Sequence, residues 1–340
     1  MVGLLGSGIA QSLRGEVAGR FTGWPIQVAA YTGLLGSVLA LFTLPLEGLR
    51  QFWLEHRFGL STERFSQWFF RWLKQFAVGG ILGLIVVEGL SALIRLSPQG
   101  WWAWAAVAWM AWSILLTQLA PILLIPIFYR QSPLKDAGLQ KRLDSFLNRC
   151  RTTVRGIFEV DLSRSTRKAN ACLCGFGKTR RVLLSDTLLK NHPAEEVEVV
   201  LAHEVGHHRL HHLGTLIGLS ALTAGASCWG VDRVLRGLIG PLGLPGPDDL
   251  AALPLLRLLF LGAGFLFMPI LSGASRILEA QADRFALTET RNPGAFVAAM
   301  RRLGEQNLAE LNPPRWVEWL FYDHPPILKR IAMAQQFQGH

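Results

Sequence analysis

Residues 203–207 read His-Glu-Val-Gly-His. On an α-helix, positions i and i+4 lie on one face. That spacing lets His203 and His207 offer two imidazole nitrogens to one ion about 2 Å away. Zn2+ suits such a pair, one ion per chain. Glu204 lies one residue round the helix, where it can take a proton from a water held by the ion without being a ligand. Val205 turns to the apolar side, and Gly206 permits close approach of another backbone.

Five residues can also be a structural histidine pair, so the flanking chain matters. Pro193 followed by Glu195 and Glu196 marks a helix start. Val197, Val200, Leu201 and Val205 give that helix an apolar face. His208, His211 and His212 crowd the same segment without a carboxylate or thiol among them, and they read as a solvated or interfacial face.

A catalytic zinc needs a third protein ligand and an open fourth position, whereas a closed structural site has four protein ligands. The candidate third ligand lies in 278–283, Leu-Glu-Ala-Gln-Ala-Asp. Glu279 and Asp283 are i, i+4 and share a face. Glu279 fits as the ligand, and Asp283 as an acceptor that orients a histidine N–H. Spacing alone leaves equal room for two solvated acids at a helix end, paired with Arg276 or Arg284.

The elements that would position these residues are membrane helices. Only 17% of the chain is charged, against about a quarter in soluble domains. The deficit gathers in runs: 21–46, 75–94 broken by Glu88, 96–129, 213–231, and 250–275 broken by Arg257. Each can span a bilayer, which takes roughly 20 apolar residues. The expected fold is mainly α: a polytopic membrane protein of five helices with a zincin-like catalytic insert holding a small β-hairpin or sheet. The division predicted is 1–129, three membrane helices; 130–212, the insert with the His-Glu-Val-Gly-His helix; 213–275, a membrane hairpin; and 276–340, a segment with the third ligand. The hairpin would return the chain to the side it left, bringing 279 back beside 203–207.

Within the insert, 134–150 has helical periodicity. Strands are expected at 158–162, 168–176 and 181–184. Glu88, Gln118 and Arg257 lie inside expected spans. For Glu88 a polar cavity is the better reading, while Asp232, at a span edge, reads as snorkelling to the interface. Met1–Gln11 lacks the basic start of a signal peptide. The four cysteines show no disulfide framework.

The net charge of +10 does not point to nucleic acid, because the basic residues follow topology. Segments 50–74 and 130–212 are rich in Lys and Arg, whereas 96–100 and 237–250 have none. The positive-inside rule then places the catalytic region and the C-terminus in the cytoplasm. The partners expected are the lipid bilayer and a peptide or protein substrate, lipidated or membrane-bound.

The chain resembles the membrane zinc metallopeptidases of the CAAX prenyl protease 1 (Ste24) type in peptidase family M48, a group that also holds the heat-shock protease HtpX. The resemblance covers most of 40–333. It runs through Leu54–Ser61, Ile125–Phe128 with Ser132–Leu134, Asn170-Ala171 with Gly175, Arg181–Leu189, the two metal motifs, and Asp323-His324-Pro325-Pro326 with Arg330 after it. Family members usually carry a further membrane helix and a long loop ahead of the segment matching 26–61. The resemblance implies that Glu279 is a ligand and that His324 approaches the reacting oxygen in the transition state. It also implies that Asn170 and Ala171 belong to an edge strand onto which substrate is laid. An extended peptide gains main-chain hydrogen bonds from such an edge. Trimming of isoprenylated tails is the activity implied. The alternatives are HtpX-like quality control and, from another class, a membrane scaffold with structural zinc.

Overall fold

The computed structural model describes residues 7–175 and 177–337. In chain order the helices are α1 (Ile9–Arg20), α2 (Trp24–Gly48), α3 (Phe65–Leu96), α4 (Trp101–Leu119), α5 (Ala137–Arg149), α6 (Asp186–Asn191), α7 (Ala194–Arg209), α8 (His212–Ile239), α9 (Leu253–Thr290), α10 (Pro293–Asn307), α11 (Arg315–Phe321) and α12 (Ile327–Gln335). The strands are β1 (Gln131–Pro133), β2 (Ile157–Val160), β3 (Ala171–Cys174) and β4 (Arg181–Ser185). Among the described residues, five segments are long and apolar enough to cross a membrane: Trp24–Arg57, Phe65–Leu96, Trp101–Phe128, His212–Ile239 and Leu250–Thr290. They match the five runs expected, and the mainly helical class with a small sheet holds.

The chain forms two compact units. The first comprises Met1–Trp53, Phe65–Ala111 and Leu219–Phe267. Its helices carry large apolar side chains on the outside, including Phe42 at 77% and Leu222 at 73% exposed. Water would not tolerate so continuous an apolar surface, whereas lipid does. Asp232 is 2% exposed and accepts from Trp101 Nε1–H at 2.7 Å and Arg236 Nε–H at 2.9 Å. It does not snorkel as expected, because two donors inside the unit satisfy its carboxylate without water. Glu88 is half-buried and Arg257 exposed. The 12-residue α1 is too short to span.

The second unit comprises Leu54–Arg64, Trp112–Gly218 and Met268–His340. Its sheet has the order β1-β2-β4-β3, with β2 and β4 parallel and the other pairs antiparallel. β1 was not expected from the sequence. Three residues ending in proline carry little strand signal, and it exists by pairing with β2. The strand expected to reach Phe176 ends at Cys174; Phe176 itself lies outside the described residues. Asp136 caps α5 by accepting from Leu139 N–H, and the helix buries Leu139, Leu143, Phe146 and Leu147 on one face. α7 buries Val197, Leu201 and Val205 in the same core, with Leu184, Leu287 and Phe296. The four cysteines are free.

Candidate metal centre

α7 and α9 carry the site, and Gly206 sets how closely they approach. A Cβ at Gly206 would lie 3.1 Å from Ala282 Cα, 3.2 Å from Ala282 O and 3.2 Å from Phe285 Cβ. The helices therefore cross with backbone against backbone. Gly206→Val should cost about 1–3 kcal/mol by overpacking and weaken zinc binding, because it pushes Glu279 away from the histidines. Thermal unfolding and zinc titration of the detergent-solubilised protein would check both effects.

The crossing gathers three side chains that could hold a metal ion, His203, His207 and Glu279, into one cluster. His203 Nε2 lies 3.1 Å from His207 Nε2 and 3.1 Å from Glu279 Oε2. His207 Nε2 lies 3.2 Å from Glu279 Oε1. Ligands about 2.0–2.1 Å from a tetrahedral zinc stand about 3.3 Å apart, so these spacings fit its edges. Glu279 is buried, and its Oε2 has no hydrogen-bond partner. A buried carboxylate with one oxygen toward each imidazole, Oε2 making no hydrogen bond, fits a cation.

The groups behind the cluster hold it in register. Asp283 is fully buried and accepts from His203 Nδ1–H at 2.8 Å. That bond leaves His203 Nε2 bare for a ligand role. Arg330, on α12, donates to both oxygens of Asp283, at 2.7 and 2.5 Å. Asp283 is thus no solvated acid at a helix end, and neither is Glu279. Arg276 instead donates to the Glu318 and Tyr322 carbonyls at 2.8 and 2.5 Å, satisfying acceptors at the end of α11. In the metal-free cluster, burial opposes charge on the His203 ring, but the Asp283 and Glu279 carboxylates outweigh it and push the imidazole up to about 9. A cation at Nε2 would thus compete with a proton. A divalent cation would draw on the same negative field.

Glu204 lies beside the cluster. Burial pushes its carboxyl above the ordinary carboxylate range, against the pull of His203 and His207. Its Oε2 accepts from Leu173 N–H at 3.4 Å, which brings the free edge of β3 to the site. Asn170 faces β4: its carbonyl accepts from Ser185 N–H at 2.9 Å, and its own N–H donates to Ser185 Oγ at 3.0 Å. By antiparallel alternation Ala171 and Leu173 then turn their main-chain groups to the free edge. Of the two residues expected there, Ala171 offers main chain and Asn170 only its exposed side chain. Leu173 was missed, because the facing of a strand depends on register and not on its own sequence.

His324 reaches the cluster from the segment between α11 and α12. Its Nε2 lies 3.4 Å from Glu279 Oε1, and its Nδ1–H donates to Asp323 at 2.8 Å. Arg276 before this segment and Arg330 after it tie both its ends to α9. The sequence reading noted Arg330 as part of a motif but gave it no role. Its partner is 47 residues away, so no local spacing could reveal the pair.

The profile of peptidase family M48 matches residues 133–338. The chain belongs to peptidase family M48. A profile described as the CAAX prenyl protease N-terminal region, with five membrane helices, matches residues 4–130. The chain is 26% identical to a Bacillus subtilis protein named uncharacterized metalloprotease YhfN, over 98% of this chain and 79% of that one. It is also 26% identical to a CAAX prenyl protease 1 homolog of Oryza sativa, over 86% and 69%. The crystal structure of S. mikatae Ste24p superposes with a TM-score of 0.88 at 22% identity, covering 98% of this chain and 82% of that one. That likeness establishes a shared fold. This M48 member is an integral, multi-pass membrane metallopeptidase of the CAAX prenyl protease type.

Proposed function

We propose that this chain is a zinc endopeptidase that cuts polypeptides at the cytoplasmic membrane surface, with His203, His207 and Glu279 as ligands. The observation that carries this reading is the buried Glu279 carboxylate, with Oε2 3.1 Å from His203 Nε2 and Oε1 3.2 Å from His207 Nε2, both tetrahedral-edge distances. When bound, zinc supplies a Lewis acid and an acidified water at neutral pH.

The chain's own residues do the rest. The Ala171–Leu173 edge takes the substrate as an added strand and fixes the scissile bond near Glu204. A carboxylate oxygen of Glu204 takes the proton of the attacking water and passes it to the leaving amine nitrogen. With both ring nitrogens protonated, His324 donates from Nδ1 to Asp323 and from Nε2 to the carbonyl oxygen as charge develops there. Asp283 and Arg330 keep His203 in the ligating tautomer. His324→Ala should therefore lower kcat by about 10²–10³-fold while zinc content stays at one per chain, read by turnover and metal analysis together.

The substrate class proposed is the isoprenylated C-terminal tail. Its support is the likeness to proteins named CAAX prenyl protease 1 over both halves of the chain. The basic segments 50–74 and 130–212 support a cytoplasmic active site. A farnesylated peptide should be cleaved faster than its unprenylated twin by purified protein in detergent. Equal cleavage of the two would favour quality control of the HtpX kind, and cleavage of neither would return the zinc to a structural role.

A further inference from the structure

His212 sits directly behind His207. It is the first residue of α8 and is 1% exposed. On an unbroken helix a residue five positions on would point away from His207. His211 breaks the helix: it adopts φ 56°, a left-handed conformation that closes α7 and lets α8 start afresh. His212 Nδ1 thereby comes within 3.0 Å of His207 Nδ1, and its Nε2 lies 3.0 Å from Gln281 Oε1.

Two facing ring nitrogens can share only one proton, and Gln281 decides which ring carries it. An amide oxygen accepts and does not donate. His212 therefore keeps its proton on Nε2, bound to Gln281, and presents a bare Nδ1. His207 carries its proton on Nδ1, donates it to His212 and leaves Nε2 bare. Nε2 is the atom that faces His203 and Glu279. The reverse chain defeats itself. Were Gln281 to present its NH2, His212 would donate from Nδ1 and His207 would hold its proton on the ligating nitrogen.

We propose that His212 is a positioning residue for His207, with Gln281 setting the tautomer of both rings. The proposal rests on reading His203, His207 and Glu279 as the metal site. It makes His212 the counterpart of Asp283, which performs the same task for His203 with a carboxylate.

The test is the zinc affinity of the full chain in detergent, read by competition with a chelator, beside its thermal unfolding midpoint. His212→Leu removes the acceptor and should raise the zinc dissociation constant about 10–100-fold, the effect of losing a group that orients a ligand. His212→Asn sets an amide oxygen where Nδ1 stood and should recover most of that loss, which a purely space-filling role would not do. Gln281→Leu, at an exposed position, should weaken zinc severalfold with the unfolding midpoint unchanged. Native zinc affinity in His212→Leu, or in Gln281→Leu where His212→Leu does not fold, overturns the proposal. An Asn variant as weak as the Leu variant does so too. His203→Ala separates the two levels: if it keeps its zinc, the metal site itself has failed and the proposal falls with it. If it loses zinc while His212→Leu does not, the failure is confined to His212.

Discussion

Glu204→Gln should abolish peptide hydrolysis and leave zinc in place. Glutamine keeps an oxygen to accept from Leu173 N–H, the contact seen at 3.4 Å, so the packing of β3 against α7 survives. It cannot take up a proton. General acid–base catalysis contributes about 10²–10⁴-fold, and here one carboxylate serves both the attacking water and the leaving amine. Turnover should fall by at least about 10³-fold, with one zinc per chain by metal analysis and an unchanged unfolding midpoint. Retained turnover would rule out Glu204 as the proton carrier. Loss of zinc in the same variant would mean that the carboxylate is a ligand instead.

Glu279→Gln should cost the metal itself. The replacement has the same shape and volume, so α9 still crosses α7 at Gly206. It removes the negative charge facing both imidazoles at 3.1 and 3.2 Å. Orienting groups behind a metal ligand are worth about 10–100-fold in affinity, and loss of the ligand should exceed that range. The checks are chelator competition and equilibrium dialysis, with activity measured as zinc is added back. Native affinity in this variant would exclude Glu279 from the site and leave two histidines too few to hold zinc.

What could be read from the chain follows physical range. His203, Glu204 and His207 announce themselves because their chemistry needs only the 3.6-residue period of one helix. Glu279 and Asp283 were visible by the same period on a second helix, though spacing could not tell them from solvated acids. The structure separates these readings: Arg330, 47 residues away, holds Asp283, while Arg276 turns to the Glu318 and Tyr322 carbonyls instead. The membrane helices were legible because lipid imposes long uncharged runs. Their internal polar contacts were not: Asp232 looked like an interfacial acid until Trp101, 131 residues away, took one of its oxygens. β1 has almost no signal of its own, since pairing with β2 creates it. His212 was read as part of a solvated or interfacial face because no carboxylate or thiol partners it in the sequence; one left-handed residue, His211, turns its ring to His207 instead.

The outer rim of β3 turns the main-chain groups of Ala171 and Leu173 away from β4, with the Leu173 amide on Glu204. A guest laid there as proposed would be judged first by whether it can straighten, since every sequence owns the same main-chain groups. Coils and sheets that already occupy those groups internally have nothing to offer. Under that proposal resistance to cutting would lie in the victim, and a tail would become vulnerable when its own fold lets go.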